Sequence, residues 1–176
     1  RDILVAVDDV QAGIGRTGTL MSYEHYDFVP DCVSLAKGLG GGLPVGACLC
    51  GEKLKDVMTP GSHGSTFGGN PVVCAGAKYV LSVVDNKEFL DEVTKKGEYM
   101  RKKIADFKNV KSVRGRGLMI GVEVDGKLGA DVVKKCLENG LIALTAKTLV
   151  RLLPPLNISY DEIDSGLEIL KKVIEE

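Results

Sequence analysis

Two short apolar runs near the start of the chain each stop abruptly at a charged residue. Ile3-Leu4-Val5-Ala6-Val7 ends in Asp8-Asp9, and Cys32-Val33-Ser34-Leu35-Ala36 ends in Lys37, ahead of Gly38-Leu39-Gly40-Gly41-Gly42. A run of this length without polar alternation is the mark of a strand covered on both faces, the habit of parallel sheets flanked by helices. Residues 2–8 and 32–36 are therefore expected to be buried strands of an α/β sheet. Parallel strands end at the same sheet edge, so Asp8 and Lys37 are expected to emerge together. A lysine delivered into a loop with little side-chain bulk is open to desolvation, which disfavours the ammonium form and frees the amine as a nucleophile.

A carboxylate and a free amine at one sheet edge are what pyridoxal 5′-phosphate chemistry asks of a protein. The lysine attaches the cofactor and the aspartate keeps the ring nitrogen protonated. Each residue taken alone has a plainer reading: a solvated loop lysine, and a carboxylate that caps a turn.

Other classes find less support. The net charge of the 176 residues is −1, which leaves no electrostatic footprint for nucleic acid or an anionic membrane. No apolar stretch reaches a membrane span, and no basic-then-apolar segment opens the chain. The five cysteines are odd in number and lie in apolar context, which suggests reduced thiols in a cytosolic setting. Cys48 and Cys50 alternate along one strand and face the same side, but His25 and His63 show no ligand spacing with them, so no metal site is assigned. The chain also opens inside a strand pattern with no turn or helix ahead of it, which reads as a piece of a longer protein.

Along the chain, residues 11–18 hold three glycines and read as an irregular loop, and residues 20–26 as a short helix. A third strand is expected over 45–50, a short helix over 52–58, and a second glycine- and hydroxyl-rich loop over 61–69. Asn70-Pro71 has N-cap and first-turn chemistry, opening a helix over 72–84. A second, amphipathic helix follows over 87–107. Strands are expected over 110–113 and 118–124, around Arg114-Gly115-Arg116-Gly117. Their clearer alternation points to an antiparallel, half-exposed sheet. A helix over 130–139 ends at Gly140, a strand over 149–153 is halted by Pro154-Pro155, and Ser159-Tyr160-Asp161-Glu162 has capping-box spacing before a last helix. The expected fold class is α/β: residues 1–85 as the remainder of a mostly parallel large-domain sheet, and residues 86–176 as a small C-terminal α+β domain.

Ordered along the chain are Val7-Asp8-Asp9-Val10-Gln11, Gly15-Arg16-Thr17-Gly18, Leu35-Ala36-Lys37-Gly38-Leu39-Gly40-Gly41-Gly42, Gly64-Ser65-Thr66-Phe67-Gly68-Gly69-Asn70-Pro71 and Val150-Arg151-Leu152-Leu153-Pro154-Pro155-Leu156. Together these resemble the motifs of class III aminotransferases, pyridoxal phosphate enzymes of fold type I, and the last is similar to the ornithine and acetylornithine branch. The resemblance implies that Lys37 carries the cofactor and moves the proton between substrate and cofactor. It implies that Asp8 pairs with the ring nitrogen, Val10 packs on the ring and Gln11 bonds the ring hydroxyl oxygen. Thr66 would bind the phosphate from a neighbouring subunit, and Arg151 the substrate α-carboxylate, to which a guanidinium offers a matching fork. It further implies an amino-acid donor such as N-acetylornithine, 2-oxoglutarate as acceptor, a cytoplasmic homodimer and a role in arginine biosynthesis.

The sequence departs from the family pattern in two ways. Asp9 stands where this branch usually has glutamate, so any contact there is rebuilt or lost. The family's N-terminal half, with most of the phosphate cradle and the second ring-stacking residue, has no counterpart, and the chain alone is expected to turn over little or not at all. Rival readings are another ω-amine aminotransferase or an aminomutase, a non-catalytic self-associating fragment, and a nucleotide binder built on Gly38–Gly42 or on the spacing Gly13-Ile14-Gly15-Arg16-Thr17-Gly18.

Overall fold

The computed structural model describes residues 3–176. The chain divides into two compact units, with the division between Leu90 and Asp91. Among the described residues, no helix is long and apolar enough to cross a membrane.

The first unit is built on a three-stranded sheet of order β1-β2-β3, with β1 at Ala6–Asp8, β2 at Cys32–Leu35 and β3 at Ala47–Cys50. β1 and β2 are parallel and β3 is antiparallel to β2. Helix α1, Pro71–Val84, supplies Ala77 and Val84 to a core with Val33, Leu35, Leu39 and Ile14. Its start follows the local chemistry: the Val72 N–H donates to Asn70 Oδ1 at 2.9 Å and Pro71 needs no donor there.

The expected strand over 2–8 is shorter and more open. Its first residue lies outside the described residues, and Ile3, Leu4 and Val5 are exposed rather than in a ladder. Val5 is instead tied sideways, its N–H donating to Asp31 Oδ2 at 2.9 Å and its carbonyl accepting from Asp31 N at 2.9 Å. Among the described residues β1 pairs with β2 alone. The helices expected over 20–26 and 52–58 are single 3-10 turns, Ser22–His25 and Glu52–Leu54. Gly13–Gly18 forms turns leading into the first of these, so no α-helix N-terminus follows the glycines. That removes the dinucleotide-binding reading, which needs one to meet the pyrophosphate.

The second unit packs helices on a four-stranded antiparallel sheet of order β4-β5-β7-β6. β4 is Val110–Arg116, β5 Met119–Val124, β6 Leu144–Ala146 and β7 Leu149–Leu152. α2 begins at Lys87, ahead of the division, and runs to Ala105; α3 is Gly129–Glu138 and α4 is Tyr160–Glu175. Every second residue of β5 is buried, as Ile120, Val122 and Val124, and so are Val93 and Ile104 of α2 and Leu170 of α4. β4 runs on through Arg114-Gly115-Arg116 to a tight turn at Gly117, where the sequence places a loop. Gly115 allows this, with φ +133° and no room for a side chain against Met119. α3 ends as its glycine dictates: Gly140 has φ +88° and the Leu141 N–H donates to Cys136 O at 2.8 Å.

α4 opens with both halves of a capping box. The Glu162 N–H donates to Ser159 Oγ at 3.2 Å, and the Ser159 N–H donates to Glu162 Oε2 at 2.8 Å. Ser159→Ala is expected to cost about 1 kcal/mol, read as a lower denaturation midpoint with an unchanged slope.

Candidate cofactor site

The sheet edge at the ends of β1 and β2 is set by register. Ala6 pairs with Cys32, Val7 with Val33 and Asp8 with Ser34, and the Asp9 N–H donates to Ser34 O at 3.0 Å. Asp8 therefore stands beside Ser34 at the point where both strands leave the sheet. Its Oδ1 accepts from the Val10 N–H at 3.0 Å and from Ser34 Oγ at 3.4 Å. Its Oδ2 accepts nothing among the described residues, and the side chain is open to solvent.

Lys37 follows Ser34 by three positions and opens a 3-10 turn, Lys37–Gly40. Its φ is +46°, a left-handed conformation that costs a side-chain-bearing residue about 1–2 kcal/mol. The surroundings hold it there. Leu39 is buried in the core, the Leu39 N–H donates to Ala36 O at 3.0 Å and the Gly41 N–H to Gly38 O at 3.2 Å. α1 closes on this loop so tightly that a Cβ on Gly41 would meet Val80 Cγ2 at 2.8 Å. The Lys37 side chain is exposed, so the desolvation expected from the sequence is not supplied by this chain's own residues.

Val10 is half-buried, two residues after Asp8, and Gln11 is exposed in the following turn. Thr66 lies in an exposed loop of the same unit and shares no hydrogen bond with Asp8 or Lys37 among the described residues. Arg151 belongs to the second unit. It is half-buried on β7, opposite Gly121 of β5 and Leu144 of β6, and lines a largely apolar cavity of about 360 Å³ with Ile142, Pro154, Ile158 and Glu162.

One residue that matters locally was treated by sequence reasoning only as a departure. Asp9 is 1% exposed. Its carboxylate accepts from the Ser22 N–H at 2.7 Å and from the Ser22 hydroxyl, and its carbonyl accepts from the Gly13 N–H at 3.0 Å. It thus pins the loop between residues 9 and 22 behind Asp8. A sequence signal exists, since two successive acids at a strand end cannot face the same way and one must turn inward. Asp9→Ala leaves the half-buried Ser22 donors without this partner and is expected to destabilise the first unit by about 1–3 kcal/mol, measurable by chemical denaturation.

The groups at this edge suit an aromatic cofactor. Asp8 offers an unspent carboxylate oxygen to a ring N–H, Val10 offers an apolar surface, and Lys37 offers a primary amine on a fixed backbone.

The family model described as aminotransferase class-III matches residues 1–174. An acetylornithine aminotransferase of Haemophilus ducreyi is 49% identical over 177 aligned positions, covering 100% of this chain and 45% of the relative. The acetylornithine aminotransferase of Elizabethkingia anophelis superposes with a TM-score of 0.87 at 36% identity, over 98% of this chain and 46% of that one. The ornithine aminotransferase of Toxoplasma gondii, whose structure is described as having partial occupancy of PLP at the active site, gives 0.88 at 35%, over 98% and 43%. The chain thus spans less than half the length of these relatives.

Proposed function

Because the chain belongs to the class-III aminotransferase family, whose cofactor is pyridoxal 5′-phosphate, we propose that the protein containing it is an acetylornithine aminotransferase. The terminal amino group of N-acetylornithine would pass to 2-oxoglutarate, giving N-acetylglutamate semialdehyde and glutamate. The observation that carries this reading is the parallel register of Asp8 with Ser34, with Lys37 leaving the same strand end. The substrate is suggested by the similarity to acetylornithine aminotransferases at 42–49% identity.

When bound, the cofactor supplies an electron sink for the electrons left on the substrate carbon. The chain's residues would do the rest. Asp8 Oδ2 would accept the ring N–H and keep that nitrogen protonated, its Oδ1 being held by Val10 and Ser34. Lys37 Nζ would attach the cofactor, then take the proton from the substrate carbon and return it one position away. Val10 would cover one ring face and Gln11 would bond the ring hydroxyl oxygen. Thr66 would hold phosphate in a partner copy, so the working protein would be a homodimer. Arg151 would bind the substrate α-carboxylate through its guanidinium fork. The proposal includes a cytoplasmic location and a role in arginine biosynthesis.

A donor panel on the full polypeptide tests the reading. N-acetylornithine is expected to give the highest kcat/KM against ornithine, succinylornithine and 4-aminobutyrate. Preference for another donor would overturn the substrate and leave the chemistry; transfer from none of them would overturn both.

A further inference from the structure

Sequence spacing relates Cys48 to Cys50, but only the fold adds Cys32. Antiparallel pairing sets Cys32 opposite Cys50 and Ser34 opposite Cys48, so alternate positions of β2 and β3 present three thiols on one face. Cys32 Sγ lies 3.4 Å from Cys48 Sγ, and Cys48 Sγ lies 3.9 Å from Cys50 Sγ. All three sulfurs are within 4.8 Å of one another. All are free thiols; Cys48 and Cys50 are exposed and Cys32 is half-buried.

These spacings match a metal polyhedron. Metal–thiolate bonds of about 2.3 Å set sulfurs roughly 3.8 Å apart in a tetrahedron and roughly 4.0 Å apart in a trigonal plane. The observed separations lie around those values before any ion draws the sulfurs in. The ligand set is all sulfur, which selects soft cations over magnesium or calcium. The sheet fixes the Cα positions, so only side-chain torsions need adjust.

We propose that Cys32, Cys48 and Cys50 form a three-thiolate site for a soft d¹⁰ cation, Zn²⁺ or its thiophilic analogue Cd²⁺. Binding forms three metal–sulfur bonds and releases three protons, with no change of oxidation state. The site does not depend on the proposed transamination: it lies on strands β2 and β3 and uses none of the residues assigned to the cofactor.

The test is a titration of the reduced 176-residue chain with Cd²⁺, followed by its thiolate-to-metal charge-transfer absorbance. Alkylation and peptide mass mapping of the saturated wild-type protein complete it. The expected result is one ion per chain, with Cys32, Cys48 and Cys50 protected together and the exposed Cys74 alkylated freely. Cys48→Ser should weaken binding by more than the ~10–100-fold that even an outer-shell change costs, and Cys74→Ser should leave it unchanged. Protection of Cys74 equal to that of the three overturns the proposal. So does free alkylation of any of the three at saturation, which wild-type protein reports whether or not a variant folds.

Discussion

Lys37→Ala is expected to abolish amino transfer in the full polypeptide, by ~10⁴-fold or more, the upper end of what a positioned acid–base group contributes. The drop would exceed a binding defect because the proposed function asks one amine both to attach the cofactor and to carry the proton. Lys37→Arg should do no better, since a guanidinium stays protonated and cannot act as the nucleophile. The backbone adds a second, independent readout. Lys37 sits at φ +46°. Lys37→Gly removes a left-handed cost of about 1–2 kcal/mol against about 0.5–1 kcal/mol of extra glycine entropy. Stability is therefore expected to hold or rise by up to about 1.5 kcal/mol while activity vanishes. A strained residue whose replacement relaxes the fold and kills the reaction is held there for function; a large loss of stability in Lys37→Gly would contradict this.

Gly97→Ala is expected to be strongly damaging to the second unit. On helix propensity alone the change should help by about 1 kcal/mol. Packing decides otherwise. Gly97 is buried on α2 directly against the turn between β4 and β5, and an added methyl would fall far inside van der Waals contact with the Gly117 carbonyl. The obstacle is backbone, which no rotamer change can clear. It also accepts from Arg101 Nη1 at 3.2 Å, so shifting the turn breaks a second tie between the helix and the sheet. Overpacking in a closed core costs about 1–3 kcal/mol, and more where the obstruction is rigid, so a net loss near 3 kcal/mol is expected in denaturant unfolding. Gly97→Ala unfolding at or above the wild-type midpoint would mean that α2 and the β4–β5 turn are not in contact.

Where local chemistry decides a boundary, the sequence was sufficient. Asn70-Pro71, Gly140 and the Ser159–Glu162 box each satisfy helix-end groups with residues a few positions away, and α1, α3 and α4 begin or end there. Non-local pairing was harder to read. β6, Leu144–Ala146, is three residues with no apolar run, and it exists because β7 offers it a ladder. The apolar run before Asp8 promised a longer covered strand, but among the described residues β1 pairs with β2 alone and Ile3, Leu4 and Val5 stay exposed. At the candidate site, the shared edge of Asp8 and Lys37 was legible because parallel strands end together. The pair of acids at the strand end carries a signal for the inward turn of Asp9, but not for its partner Ser22, which lies thirteen residues on. The meeting of Cys32 with Cys48 and Cys50 depends on the register of an antiparallel pair, which no spacing along the chain states.

The central claim is that the Asp8–Lys37 edge selects pyridoxal 5′-phosphate. Its most direct test is to incubate the chain with the cofactor, reduce with borohydride and map the modified peptide by mass. The account predicts a pyridoxyl group confined to Lys37 and lost in Asp8→Ala. Labelling spread over surface lysines, or labelling of Lys37 that is indifferent to Asp8, would contradict it.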